Sequence, residues 1–282
     1  MLGQRVLTVI FLLAILVPTM VLSTVLFGYV LIVLIAAAGW EWGLLNGVRS
    51  GSSSAIGAFI AVLCWESMEV GLYGEDLQLL WAIAGGLWVV LGAWLLRVGV
   101  AGWPRIPRWI RILGGGLALW AAWLAAMQAR WHGINFLMSV LVLVWAADIG
   151  AYAAGHAFGS KFIKARLAPA ISPGKTWEGV LGGMACVIAI GVAWVFVDRM
   201  RHSAAPGLYT YLVNVGWWLL PLAAVFLVSM SVVGDLVESL VKRSAGAKDS
   251  SSLLPGHGGV LDRIDALLPT LPLALFLQSV IA

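Results

Sequence analysis

The sequence of 282 residues predicts an all-α, polytopic integral membrane protein of about nine transmembrane helices, on three observations. Hydrophobic residues make up 62% of the chain and charged residues only 11%, against about 25% charged in a soluble domain. Apolar runs that approach the roughly 20 residues needed to cross hydrocarbon recur along its whole length. Lys and Arg fall almost entirely in alternate connections between those runs, the bias expected of cytoplasmic loops.

The runs, in order, are residues 6–21, 25–45, 55–72, 77–96, 109–129, 134–154, 179–197, 212–233 and 266–281. The first and last are short and the turn at 18–24 is tight, so eight spans also fit. The first run follows Arg5 as a signal peptide would. No A-x-A-like site follows it and a second apolar run begins at once, so a retained helix is expected. Two regions result: residues 1–132, with about five spans, and residues 133–282, which hold the two long polar stretches at 156–178 and 235–265. The sixteen Trp suit the bilayer interface. Cys64 and Cys186 lie within apolar runs, without the spacing of a disulfide or zinc site, and read as small core residues.

With nine spans, one side of the membrane receives Arg5, Arg49, Arg97, Arg105, Arg108, Arg111, Lys161, Lys164, Arg166, Lys175, Lys242, Arg243, Lys248 and Arg263. The other receives Arg130, Arg199 and Arg201. The richer side is therefore expected to be cytoplasmic, which puts the N-terminus and both long polar stretches inside.

Residues 234–265 concentrate the chain's charge. They carry Asp235, Glu238, Asp249, Asp262 and Asp265 together with Lys242, Arg243, Lys248 and Arg263. Each such charge left in hydrocarbon costs roughly 2.5–3.5 kcal/mol, so the segment must sit in water, in a polar cavity, or against a metal and an anionic substrate. Asp235 is expected to close the eighth span, with Glu238 and Ser239 on the same helical face at i+3 and i+4. Asp262 and Asp265 are i,i+3 neighbours at the entry to the ninth. Two acidic helix ends facing one another repel unless a cation lies between them, and Mg²⁺ is commonly held by one or two carboxylates with waters and phosphate oxygens. The alternative is solvated helix caps.

Between these ends, the PGHGG turn at 255–259 supplies glycines that let a ligand approach the backbone. Lys242, Arg243, Lys248 and Arg263 either neutralise phosphates or face anionic headgroups, and His257 either bonds a phosphate or is an ordinary loop residue. Asp148, near the cytoplasmic end of the sixth span, is expected to face a polar cavity. Ser172, Lys175 and Thr176 lead into a helix starting near Trp177 and Glu178, whose free N–H groups suit phosphate. Position 169 is Pro169, so the loop is not a Walker A motif and a soluble P-loop ATPase is excluded. Glu41, in the GWEW of the second span, is a candidate to line the same cavity. Glu66 and Glu69, near Glu75 and Asp76, read as interfacial.

The run SLVKRSAGAKDSSSLLPGHGGVLDRID, residues 239–265, resembles the signature of the phosphatidate cytidylyltransferase (CDP-diacylglycerol synthase) family: S-x-x-K-R-x₄-K-D, a short spacer, then P-x-H-G-G-x-x-D-R-x-D. The ISPGKTWEG at 171–179 and the DIGAY at 148–152 are also similar to that family, and together the matches cover the last half of the chain. Gly174 stands where many members carry a second basic residue. The resemblance implies transfer of a cytidylyl group from CTP to phosphatidate with release of pyrophosphate. It further implies Mg²⁺ at the cytoplasmic face of a bacterial-type inner membrane, on a homodimer that handles membrane lipid and no nucleic acid. The metal would map to Asp235 and Asp262, with Asp265 reaching it directly or through water, and a monovalent cation such as K⁺ beside it.

On that reading Lys248, Arg263, His257 and the Gly258–Gly259 amides take the departing pyrophosphate. Ser172, Lys175 and Thr176 seat a phosphate, while Ser239, Lys242, Arg243, Asp249 and Asp148 complete the substrate site. Lys242→Ala is expected to be milder than loss of either metal-binding Asp. Two related CTP-dependent enzymes, a lipid kinase and a CDP-ether-lipid synthase, are the alternatives. From another class, an ion-coupled transporter would use Asp148 and Asp235 as cation sites, although its acids would lie near the midplane.

Overall fold

A computed structural model describes residues 2–281, with the side chains of 2–7 and 9 outside the description; Arg5 is among these. The chain is a bundle of helices: α1 (Leu2–Leu22), α2 (Thr24–Leu45), α3 (Ser50–Glu69), α4 (Gln78–Val98), α5 (Arg108–His132), α6 (Ile134–Phe158), α7 (Trp177–Arg201), α8 (Leu208–Val215), α9 (Leu219–Ser244), α10 (Leu261–Ile264) and α11 (Leu267–Ile281). Among the described residues, seven helical segments are long and apolar enough to cross a membrane: α2, α4, α5, α6, α7, α9 and Leu261–Ile281. Helix α1 has a shorter apolar stretch, Ile10–Leu22, and α3 opens on a serine-rich turn that lowers its hydropathy. The all-α membrane class therefore holds, with seven such segments where about nine were expected.

The differences from the expected spans have local causes. Residues 208–215 separate from α9 because Gly216 interrupts the helix. The buried Asp198 of α7 also meets the short helix at its start, accepting from Gly207 N at 2.8 Å and from Thr210 Oγ1 at 2.6 Å. At its other end α9 runs on to Ser244, so Asp235 lies inside a helix and does not close it. The 156–178 stretch is not simply a loop. β1 (Arg166–Ala168) and β2 (Ser172–Thr176) pair antiparallel, and α7 then starts at Trp177, as predicted, with Thr176 Oγ1 accepting from Gly179 N at 3.1 Å as its N-cap.

Long-range hydrogen bonds sort the connections into two ends. At one end Trp42 Nε1 donates to Arg111 O (3.0 Å), Arg243 Nε to Ile171 O (3.5 Å), and Glu41 accepts from residues 250–261. At the other, Arg130 Nε donates to Met20 O (2.6 Å), Gln128 Nε2 to Glu75 O (2.7 Å), and Asn135 Nδ2 to Asp198 Oδ1 (2.8 Å). The loops richest in Lys and Arg thus share one end. The two sequence regions interlock, since α11 packs on α4 and α5 as well as on α9. Helices α6 and α7 approach closely: a Cβ added at Gly182 would lie 2.1 Å from the Ala154 Cβ. Both cysteines are free, Cys64 buried and Cys186 half-buried, and Glu66 and Glu69 are exposed.

Candidate active site

Helix α9 carries Asp235, Glu238, Ser239 and Lys242 at i, i+3, i+4 and i+7, a spacing that stacks them along one face. Asp235 is held from two sides. Lys175 of β2 reaches its Oδ2 at 2.5 Å, and Ser239 Oγ donates to its Oδ1 at 3.3 Å. Two turns on, Lys242 Nζ lies 2.5 Å from Glu238 Oε2 and 2.5 Å from Asp262 Oδ1. The other oxygen of Asp262 accepts from Ser250 N (2.9 Å), Ser250 Oγ (2.8 Å) and Gly259 N (2.8 Å). Asp262 thus meets four donors, three of them at one oxygen, and such partners are what a buried carboxylate needs.

The PGHGG segment forms a tight turn closed by Leu254 N to Gly258 O and His257 N to Leu254 O, both 2.8 Å. Gly256 and Gly258 adopt φ of 77° and 80°, the left-handed region that side chains resist. At Gly258 a Cβ would also stand 2.6 Å from Asp262 Oδ2. The amides of His257 and Gly259 are thus engaged within the protein, so they do not stand as free donors for an incoming anion. Gly234 brings the start of α11 against α9, for a Cβ there would meet Asp265 O at 2.5 Å. Asp265 follows Asp262 by one turn, its Oδ1 accepting from Ala266 N at 2.7 Å.

A cleft of about 460 Å³ opens between α6, β2, α7 and α9. Asp148, Lys175, Thr176 and Asp235 line it together with Tyr152, His156 and Ser231. Asp148 is within electrostatic range of Asp235, Lys175 and Arg263, and Asp265 is in range of Asp235, Lys242 and Lys175. Asp148, Lys175 and Asp235 are brought together as expected of one cavity. Ser172 pairs with Ala168 in the hairpin, half-buried, and does not line the cleft. Arg243 turns to Ile171 O and Ala247 O, bracing the hairpin. Lys248, Asp249 and Arg263 are exposed and outside the cleft lining, with Arg263 Nη2 donating to His257 O at 2.9 Å. His257 is half-buried and its Nδ1 has no partner.

Several further residues shape the site. Tyr152 and His156 stack with parallel rings 6.1 Å apart, one and two turns along α6 from Asp148, a spacing legible in the sequence. Glu178 Oε1 accepts from Phe162 N (3.1 Å) and Ile163 N (2.8 Å), pinning the approach to the hairpin. Glu238 is 3% exposed, and beyond its ionic contact with Lys242 neither carboxylate oxygen receives a hydrogen bond. Glu41 does not line the cleft but is fully buried against the 250–261 segment.

Charge accounting sets what the site can accept. Asp148, Asp235, Glu238, Asp262 and Asp265 face two interior cations, Lys175 and Lys242. Among the described residues no group of three or more His, Cys, Asp or Glu is arranged to hold a metal by itself. The donor set does fit Mg²⁺ in its usual protein form, where one or two carboxylates share the ion with waters and substrate phosphates. Glu238 Oε1, which has no partner, and the surplus of carboxylates over lysines are compatible with that form. Asp235 and Asp262 each hold a lysine ammonium group in this structure.

Fold and site together define a polytopic membrane protein with an acidic, lysine-bearing cleft at one end of its bundle, suited to a phosphorylated substrate and a cation. The chain belongs to the cytidylyltransferase family, whose sequence model matches residues 3–281. It is 39% identical over 283 residues to the phosphatidate cytidylyltransferase of Pseudomonas aeruginosa, covering 96% of this chain and 95% of that one. It is 35% identical over 296 residues to the phosphatidate cytidylyltransferase of Haemophilus influenzae, covering 96% of each. Over 150 residues, 53% of this chain and 49% of the relative, identity to the Brucella suis phosphatidate cytidylyltransferase is 41%. The chain is accordingly a nucleotidyltransferase, which sets aside the transporter reading.

Proposed function

We propose that this chain catalyses CTP + phosphatidate → CDP-diacylglycerol + pyrophosphate. The observation that carries the reading is the convergence of Asp148, Lys175 and Asp235 on one cleft, next to the Lys242–Asp262 pair. The relatives' names supply the substrates, and the cleft has the charge and position those substrates need.

A phosphate oxygen of phosphatidate attacks the α-phosphorus of CTP in line. The new Pα–O bond forms as the bond from Pα to the β-phosphate bridging oxygen breaks, and pyrophosphate leaves with that electron pair. The nucleophile is already anionic, so no strong general base is required. Bringing two polyanions together is the larger obstacle, on the order of 4 kcal/mol for each pair of unit charges 4 Å apart at an effective dielectric of 20. Positioning and neutralisation therefore carry the catalysis.

Lys175, poised on Asp235, is placed to transfer its charge to an incoming phosphate, freeing that carboxylate. Asp235 and Asp262 would hold Mg²⁺, with Asp265 beside them. The ion supplies neutralisation of the triphosphate and of the charge that builds on the leaving group. The remaining carboxylate surplus leaves a place for a monovalent cation such as K⁺. Lys248, Arg263 and His257 receive pyrophosphate, and the cleft between α6, α7 and α9 admits the lipid from the bilayer side.

The basic loops gathered at one end support an active site on the cytoplasmic face of a bacterial inner membrane, with the N-terminus inside. The family resemblance supports a homodimer. Purified protein supplied with radiolabelled CTP, phosphatidate and Mg²⁺ tests the reading. CDP-diacylglycerol and pyrophosphate in equal amounts are expected, and release of CDP in their place would identify a kinase.

A further inference from the structure

Glu41 is a carboxylate with no exposed surface, near the C-terminal end of α2 in an otherwise apolar helix. Among the described residues no Lys or Arg forms an ion pair with it. Its charge is met by hydrogen bonds from one segment more than 200 residues away. Oε1 accepts from Ser251 Oγ (2.6 Å) and Val260 N (3.0 Å), and Oε2 from Leu261 N (2.7 Å) and Ser250 Oγ (3.1 Å). A buried carboxylate without a counter-ion is stable only when its lone pairs are filled in this way.

The same segment is gripped from its other side by Asp262. Three successive amides are divided between the two acids: Gly259 N goes to Asp262, Val260 N and Leu261 N to Glu41. Ser250 Oγ lies 2.8 Å from Asp262 and 3.1 Å from Glu41. A hydroxyl has one proton, so the two carboxylates share a single donor, and moving either acid changes the hydrogen bonding of the other. The fit leaves no slack, because a Cβ at Gly259 would stand 2.3 Å from Glu41 Oε1 and 2.1 Å from Ser250 Oγ. Thr8 of α1 adds a further tie, donating from Oγ1 to Pro255 O at 3.0 Å.

We propose that Glu41 is a positioning residue for cytidylyl transfer: from α2, outside the signature-bearing half of the chain, it sets the 250–261 segment and so the direction in which Asp262 and the PGHGG turn face the nucleotide. The inference rests on the function proposed above. Glu41 touches no substrate, and its effect passes through Ser250, Val260 and Leu261.

The test measures pyrophosphate release by the full-length protein in lipid nanodiscs, for wild type, Glu41→Gln and Ser251→Ala. A role in holding the fold alone reduces the amount of competent enzyme, which lowers the apparent kcat and leaves KM unchanged. A positioning role raises KM for CTP and spares KM for phosphatidate. In Glu41→Gln the amide N–H₂ must face a backbone N–H donor whichever way it turns, so KM for CTP should rise at least fivefold, kcat should fall at least tenfold, and KM for phosphatidate should stay within twofold. Ser251→Ala, which removes one donor, should shift KM for CTP two- to threefold in the same direction. KM for CTP within twofold of wild type in both variants overturns the proposal, whatever happens to kcat. Should Glu41→Gln not fold, Ser251→Ala decides by the same criterion. Hydrogen exchange at the amides of 259–261 separates this inference from the reading it rests on. If wild type forms no CDP-lipid, faster exchange in Glu41→Gln, or in Ser251→Ala should it alone fold, still supports the grip, and unchanged exchange refutes it.

Discussion

Lys175 on β2 and Asp235 on α9 meet at 2.5 Å across the mouth of the cleft, 60 residues apart in sequence. Both remain partly open to solvent, with side chains 25% and 33% exposed. A pair so exposed contributes on the order of 1 kcal/mol or less to stability. On the proposed function its arrangement has a chemical use instead: the ammonium group rests on a carboxylate from which an incoming phosphate would draw it.

Asp235→Asn is therefore expected to remove activity without removing the fold. Pyrophosphate release should fall at least a hundredfold, while the thermal unfolding midpoint in detergent stays within a few degrees of wild type. Normal turnover would remove Asp235 from the cation site.

Lys242 is a different case, because it is held inside the protein. Its ammonium lies between Glu238 and Asp262, whose side chains are 3% and 5% exposed. Removing one partner of a buried ion pair costs about 3–5 kcal/mol, because the remaining charges lose their compensation. Lys242→Ala should be markedly destabilised in thermal unfolding, and adding Glu238→Gln should recover part of the loss. A Lys242→Ala protein as stable as wild type would contradict the buried triad.

Gly258→Ala places a side chain at φ 80° and directs its Cβ at Asp262 Oδ2. Strain of about 1–2 kcal/mol follows from the backbone alone, and Asp262 must move to relieve the contact. Activity should fall at least tenfold, measured at saturating CTP. Gly246→Ala, at φ 69° but with open space around its Cβ, is the control, and should lose stability without a comparable loss of turnover.

Thr176→Ala removes the N-cap of α7, a change worth about 1 kcal/mol, beside the cleft-lining Lys175. The hairpin should become more susceptible to limited proteolysis between residues 159 and 176. Protection equal to wild type would show that the Glu178 contacts to Phe162 and Ile163 hold the segment by themselves.

Much of this site was legible in the residues. Charges in a lipid-compatible chain must be sheltered, and the basic residues mark which connections share an end, so the segments bearing Asp148, Lys175 and Asp235 were assigned to one mouth. The start of α7 near Trp177 and Glu178 was legible too, and Thr176 proves to be its cap. Where α9 ends was not legible: the charged turn after Val233 reads as a helix terminus, yet Lys242 neutralises Glu238 one turn away and lets the helix continue to Ser244. The role of Glu41 was hidden for a different reason. Its partners are backbone amides and serines more than 200 residues off, and a carboxylate satisfied by amides leaves no complementary charge in the sequence to point at it. The GWEW acid signalled importance but not the segment it holds.

The most direct test is stoichiometric: purified protein given CTP, with and without phosphatidate and with and without Mg²⁺, followed by pyrophosphate release and by Mg²⁺ binding to wild type and Asp235→Asn. Pyrophosphate should appear only when CTP, phosphatidate and Mg²⁺ are all present, in equal amount to CDP-diacylglycerol, and Mg²⁺ binding should weaken in the variant. Pyrophosphate formed without phosphatidate, or undiminished turnover by Asp235→Asn, would contradict the assignment of the cleft.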